Sequence, residues 1–238
     1  MLQNIRYNKK GLKMDKLNVI YEDNHIIVVE KKPNIPSQAD KTEDIDMLTI
    51  IKNYLKEKYK KPGNVYLGLV HRLDRPVGGV MVFAKTSKAA ARLSNQVREK
   101  IFRKKYLAVV DGKLENQTGV LEDYLYKDER NNMSKVVKPE KKNSKYAKLE
   151  YKVLKYNSVK DLSLLEINLF TGRHHQIRVQ LSNFGHSIFG DQKYGTRGKG
   201  KQIALWAYEL EFEHPISKEK MTFKVLPEPV GTWCILKN

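Results

Sequence analysis

Between residues 147 and 169 the chain alternates apolar and polar residues with a period of two, and no other stretch constrains the fold as strongly. Ala147, Leu149, Tyr151 and Val153 interleave with Lys148, Glu150 and Lys152. Leu165, Ile167 and Leu169 interleave with Glu166 and Asn168. Successive side chains of a strand point to opposite faces, so each run describes a strand with one apolar and one wet face. Asn157-Ser158 supplies a turn between them, which makes the pair antiparallel.

Other segments extend this pattern. Residues 17–21 and 26–30 flank Asp23-Asn24, a hairpin signature. Short apolar runs at 65–70 and 80–84 read as buried strands around a loop marked by Pro76, Gly78 and Gly79. Residues 104–110 form a strand ending at Asp111-Gly112, with Tyr106 on the face of Ala108 and Val110. A last pair, 203–212 and 221–226, turns at His214-Pro215. Helical spacing joins Leu48, Ile51 and Leu55 up to Pro62-Gly63, and joins Ala90, Leu93, Val97 and Ile101 behind a Thr86 or Ser87 cap. A third helix begins near Arg173, with Ile177, Leu181 and Phe184 inward and Gly185 as its stop. Many antiparallel strands with a few intervening helices define an α+β class, here one domain over 17–238 behind a flexible basic lead-in at 1–16. The stretch 123–145 is polar, lysine-rich and almost free of periodicity. It reads as a basic insertion, either a solvated loop or loose hairpin or an arm that touches phosphate.

Charge then narrows the partner. The chain carries 45 Lys and Arg against 27 Asp and Glu, a net charge of +18. An excess of that size points to a polyanion, because lysines and arginines that face phosphates release counterions. A membrane surface would require a basic amphipathic helix or a lipidation signal, and neither is present. The single Cys234 has no internal disulfide partner, which places the chain in a reducing cytoplasm, and its setting between Trp233 and Ile235 reads as a buried, inert thiol. No apolar run reaches the length of a membrane span.

Two segments carry candidate chemistry. Asp74 stands between Arg72 and Arg75 on the loop between the two apolar runs. Positive neighbours favour an ionised, nucleophilic carboxylate, although a lone Arg-x-Asp-Arg reads first as a surface ion pair in a tight turn. The second segment is Thr171-Gly-Arg-His-His-Gln-Ile-Arg178. On a helix Arg178 lies near His174 and His175 and beside the inward Ile177, where a guanidinium requires an anion. Asp74 is the expected partner, with Tyr106 as a third member or an ordinary core tyrosine. A metal reading through His71, His174, His175, His186 and Asp191 lacks ligand spacing, since adjacent helical histidines diverge by about 100°. Phosphate-loop fingerprints are absent, and the basic glycine-rich stretch 195–201 reads as a mobile RNA-contacting loop.

Read in order, His71-Arg-Leu-Asp74-Arg, Lys105-Tyr106-Leu-Ala, TGRHHQIR and Gly185-His-Ser-Ile-Phe-Gly-Asp-Gln-Lys-Tyr-Gly195 resemble the RluA-type family of RNA pseudouridine synthases. The resemblance runs from about residue 17 to 226. It implies a pseudouridine synthase fold: a mixed, mainly antiparallel sheet with flanking helices and a central RNA-binding cleft. The catalytic domain is expected without the S4 domain that many members carry in front. The resemblance makes Asp74 the catalytic carboxylate, Arg178 its partner and Tyr106 the wall of the uracil pocket. It gives RNA contacts to Arg72, which helps hold the flipped nucleotide, and to His71, Arg75, Arg173, His175 and Gln176. The chain departs from the family pattern at Val77-Gly78-Gly79, at Lys32-Pro33-Asn34-Ile35, at His174 and at Gln180.

The implied reaction isomerises specific uridines of ribosomal or transfer RNA by cleaving N1–C1′, rotating the base and rejoining it through C5. It needs no redox step, so no cofactor and no metal are expected, and the enzyme is expected as a cytoplasmic monomer. A non-catalytic RNA-binding or ribosome-assembly module explains the charge alone, but not an aspartate placed among arginines. A base-releasing glycosidase calls for a second carboxylate.

Overall fold

The computed structural model describes residues 17–237, which form two compact units. The first comprises 17–102 and 211–223, and the second 103–210 and 224–237. The lead-in expected at 1–16 lies outside the described residues.

In the first unit, β1 (Asn18–Glu22) and β2 (Ile26–Lys31) form the expected hairpin. Asp23 Oδ1 accepts the N–H groups of His25 and Ile26 at 2.7 Å each, an aspartate-stabilised turn. Three further elements precede the second helix: α1 (Met47–Lys58), β3 (Gly68–Leu69) and β4 (Gly78–Ala84). Strand β2 pairs antiparallel with β4 from Ile26 opposite Ala84 to Lys31 opposite Gly79. Every residue of β4 is buried, as a continuous apolar run covered on both faces requires.

The run at 65–70 behaves differently. Only Gly68 and Leu69 pair with β4, and Tyr66 is exposed. The ladder stops because the next N–H, that of Val82, donates to His71 Nε2 at 3.2 Å instead of to a backbone carbonyl. The expected buried strand is therefore two residues long, and the chain leaves the sheet where the Asp74 loop begins.

Asp46 caps α1, which buries Met47, Ile51 and Leu55. Thr86 caps α2 (Ser87–Arg98) through the N–H of Ala89. Its buried face is Ala89, Leu93 and Gln96, a shift from the expected Ala90, Leu93 and Val97. Gln96 causes the shift: its amide donates to the carbonyl of Glu213 (2.8 Å) and accepts that residue's N–H (2.9 Å). A buried amide with both halves satisfied carries little penalty.

The second unit contains β5 (Arg103–Asp111), β6 (Thr118–Asp128), β7 (Met133–Val137), β8 (Lys145–Asn157) and β9 (Leu162–Leu169), ordered β5-β9-β8-β6-β7 with antiparallel pairing throughout. After α3 (Gln176–Asn183) come β10 (Leu205–Glu213), beside β5, and β11 (Lys220–Lys224), which pairs with β10. A 3-10 segment (Gly231–Leu236) follows, in which Cys234 is half-buried, less enclosed than expected, and donates its thiol to the Pro229 carbonyl.

The hairpin alternative holds for the stretch 123–145, with a regular ladder over 124–137 and a connecting loop at 138–144. Tyr124 opposes both Val137 in β7 and Tyr146 in β8, and Leu125 is buried against Ala147 and Val179. One buried leucine and two ladders suffice, because a polar composition does not oppose a strand whose other face meets water. Among the described residues no helix is long and apolar enough to cross a membrane.

Candidate active site

The Asp74 loop is clamped from beneath by the segment that follows β2. Ser37 Oγ donates to the Leu73 carbonyl (2.8 Å) and accepts the Leu73 N–H (3.1 Å). Asn34 N–H donates to the Arg75 carbonyl at 2.8 Å, from a left-handed backbone (φ 69°) that asparagine tolerates. Leu73 and Val77 are buried on either side of the half-buried Asp74, and the Val77 N–H closes a turn on the Asp74 carbonyl. The flanking arginines differ. Arg72 is exposed, whereas Arg75 pairs with Asp44 and donates to Thr42 Oγ (2.8 Å). His71 rests its ring against Phe102, and its accepting Nε2 carries no proton.

In the second unit, α3 starts at Gln176, three residues later than expected. His175 adopts a left-handed conformation (φ 54°) as the N-cap, so His174 and His175 stand outside the helix with their rings stacked 3.7 Å apart. The divergence expected of helical neighbours does not apply to them. Val179 faces inward with Ile177 and Leu181, while Phe184 is 41% exposed, contrary to expectation. Gly185 follows with φ +91°, as a helix stop requires.

Arg178 is buried and makes a two-point pair with Asp191, Nε to Oδ2 and Nη2 to Oδ1, each 2.7 Å. Asp191 Oδ1 also accepts the N–H groups of Lys193 (2.9 Å) and Tyr194 (3.2 Å). Burial pushes the Asp191 carboxyl up, but Arg178 and the two backbone donors outweigh it and hold it below the usual carboxylate range. The Arg178 guanidinium lies over the Tyr194 ring, 5.2 Å from its centroid. The Tyr194 hydroxyl bonds His175 Nδ1 (2.8 Å) and accepts the Ser134 N–H (2.6 Å), and Ser134 Oγ donates to the His174 carbonyl (2.7 Å). The TGRHHQIR segment is thus locked to the β6–β7 hairpin.

Gln176 is buried: its Oε1 accepts the Thr171 hydroxyl (2.8 Å) and the Arg173 N–H (3.0 Å), and its amide donates to the Lys148 carbonyl (3.1 Å). Arg173 is exposed and donates from Nε to the Tyr146 carbonyl. Gln180, one of the departures from the family pattern, ties α3 to β6 through Asp123 Oδ2 at 2.7 Å. The glycine-rich stretch 195–201 is folded rather than loose. Gly195 N–H donates to the Asp191 carbonyl, and Arg197 donates to the carbonyls of Lys160 and Asp161. A Cβ at Gly195 would come within 2.5 Å of the Asp191 carbonyl oxygen, so glycine is required there.

The structure therefore gathers His71, Arg72, Asp74 and Arg75 on one loop of the first unit. It links Arg173, His175, Gln176 and Arg178 at the start of α3 in the second, and sets Tyr106 on β5 opposite Ile167. Four residues of these sites escape the sequence reading. Asp191 is named there only as a metal ligand, and Tyr194 only as a letter of a motif. Lys104 shares Tyr106's strand face, comes within reach of Gly172, and has its ammonium pushed down by burial. Lys31 is the fourth. Among the described residues no group of three or more His, Cys, Asp or Glu could hold a metal ion.

Residues 25–183 match the family described as RNA pseudouridylate synthase. A Helicobacter pylori (strain ATCC 700392 / 26695) protein described as an uncharacterized RNA pseudouridine synthase is 35% identical over 236 residues, 91% of this chain and 68% of that one. The ribosomal large subunit pseudouridine synthase D of Zymomonas mobilis is 32% identical over 219 residues, 87% of this chain and 68% of that one. The fold is that of the human RNA pseudouridylate synthase domain containing 4 protein, with a TM-score of 0.73 at 22% identity over 89% of both chains. The family match and these relatives place the chain in a class of isomerases that act on RNA. The chain is a member of the RNA pseudouridylate synthase family.

Proposed function

We propose that Asp74 is the reacting carboxylate of an RNA uridine isomerisation, with Tyr106 and Arg178 as its companions. The carrying observation is the clamped loop, in which side chains and backbone from Lys31 to Ser37 fix the groups on both sides of Asp74 while Asp74 itself stays half-buried. A catalytic group must be held in one geometry, and such clamping is how a loop achieves that.

The reaction breaks N1–C1′, forms C5–C1′, removes the C5 proton and returns a proton to N1, so atoms balance within the nucleotide. The target uridine leaves its stack at a cost of a few kcal/mol, roughly, offset by contacts in the site. An ionised Asp74 serves either by attack at C1′ or by taking the C2′ proton, and both use its negative charge while positive charge develops on the sugar. Tyr106 stacks on the uracil and assists loss of the C5 proton. Arg178, oriented by Asp191 and Tyr194, supplies positive charge. Arg72 and Arg173, both exposed, contact the RNA; Gln176 fixes the Arg173 backbone by accepting its N–H, and His71, Arg75 and His175 hold the Asp74 loop and the start of α3 through Val82, Asp44 and Tyr194.

Large-subunit ribosomal RNA is the first substrate to test, in view of the names of the Zymomonas mobilis relative and of the Buchnera aphidicola ribosomal large subunit pseudouridine synthase C, 30% identical over 215 residues. Incubation with that RNA, followed by nucleoside analysis, should give pseudouridine. Asp74→Asn should abolish its formation while RNA binding survives. Turnover retained by the Asn variant, or uracil released free, would refute the assignment.

A further inference from the structure

Among the described residues Lys31 is one of the large side chains that solvent does not reach, with a relative exposure of 0%. It ends β2, opposite Gly79. Its Nζ donates to three backbone carbonyls: Lys32 at 3.2 Å, Arg75 at 3.0 Å and Val77 at 2.6 Å. An ammonium has three donors, and all three are engaged. Two of the acceptors lie one and three residues beyond Asp74. Ser37 grips the loop just before Asp74 and Lys31 grips it just after, so the carboxylate sits between two fixed points.

We propose that Lys31 is a positioning residue for the reaction: its ammonium ties the carbonyls of Arg75 and Val77 to β2 and so sets the direction of the Asp74 carboxylate. The proposal rests on Asp74 being the reacting group. Burying an ammonium is unfavourable in itself. Burial pushes Lys31 down to about 7, the charge of Asp74 opposes that, and the charge of Arg75 adds to it. A buried cation held at that disadvantage beside the proposed reacting carboxylate has a functional explanation that packing alone lacks. Lys32, the next residue, is its contrast: it is part-exposed and pairs with Glu30 at 2.7 Å.

The test uses the full chain. Asp74→Asn is measured first, because turnover by that variant would overturn the reading of Asp74 and would do so independently of Lys31. With Asp74→Asn inactive, Lys31→Met, similar in length and without donors, is assayed for single-turnover rate, RNA affinity and melting. The expected result is a rate lowered about a hundredfold, the scale of a misplacement near 1 Å, with RNA affinity within about twofold of the parent. A rate within about threefold of the parent would overturn the proposal. So would rate and affinity falling in proportion, which marks a merely structural lysine. Should Lys31→Met fail to fold, the titration of the Lys31 ammonium is followed by NMR in the parent and in Asp74→Asn, where the lysine is intact. A lower Lys31 pKa in Asp74→Asn supports the coupling, and an unchanged value overturns it.

Discussion

Arg178 carries a charge into the interior of its unit, where a guanidinium is tolerated only with an anion beside it. Its fork geometry matches a carboxylate at two points, and the partner it finds within its own unit is Asp191, thirteen residues along the chain. Removing one member of a buried pair leaves an uncompensated charge, which costs about 3–5 kcal/mol. Asp191→Ala should therefore lower the urea midpoint strongly, and Arg178→Lys should recover little, since an ammonium cannot make both bonds. Glu22 provides the acid-sensitive counterpart. Burial raises its pKa, but Lys58, Lys85 and Tyr59 outweigh that and hold it at about 2 against an ordinary 4.5. A depressed carboxyl contributes stability that is fully present above its unfolded value, and that contribution disappears as pH falls through the folded one. Glu22→Gln should cost about 1.5–3 kcal/mol at neutral pH, the worth of hydrogen bonds to a charged group. The difference from the parent should shrink between about pH 4.5 and 2, measured by urea unfolding at several pH values.

At the scale of elements, β4 and the β6–β7 hairpin make opposite demands. Phe83, the penultimate residue of β4, is at 0% exposure. Phe83→Ala should destabilise by about 3–5 kcal/mol, through the apolar surface no longer buried and the cavity left behind. Lys135, Lys138 and Lys141, on and after the hairpin, should matter little to stability. Replacing them with alanine should weaken RNA binding and reduce its salt slope by about one for each phosphate that is no longer neutralised. An unchanged slope would leave the hairpin a solvated ladder. Most elements are legible from local pattern: the β8–β9 alternation, the Thr86 cap and the Gly185 stop all act within a few residues. The failures have tertiary causes. His71 ends β3 by taking a ladder N–H from Val82, Gln96 turns α2 to reach Glu213, and left-handed His175 delays α3.

For the molecule as a whole, the charge of +18 sets the response to salt. Binding to six to ten phosphates predicts that RNA affinity falls about 10³–10⁵-fold between about 50 and 200 mM salt. A filter-binding series checks this. The single-turnover rate at saturating enzyme should change far less, because the chemistry proposed at Asp74 does not depend on phosphate neutralisation.

The sequence by itself determined the antiparallel α+β class, the positions of most strands, the Thr86 cap and the Gly185 stop, and it supplied the motifs on which the proposed roles of Asp74, Tyr106 and Arg178 rest. Periodicity, capping and motif spacing are short-range properties, and a linear reading resolves them. Only the tertiary structure decided which groups satisfy the buried charges. Lys31 and Lys32 are adjacent and identical in kind, yet one is sealed beneath the Asp74 loop while the other pairs with Glu30 at the surface. Two of the three carbonyls that hold Lys31 belong to residues 44 and 46 positions away. Asp191 reached Arg178 by the same route: a buried charge takes whatever partner the folded chain delivers to it, and that delivery is not encoded in either residue's neighbours.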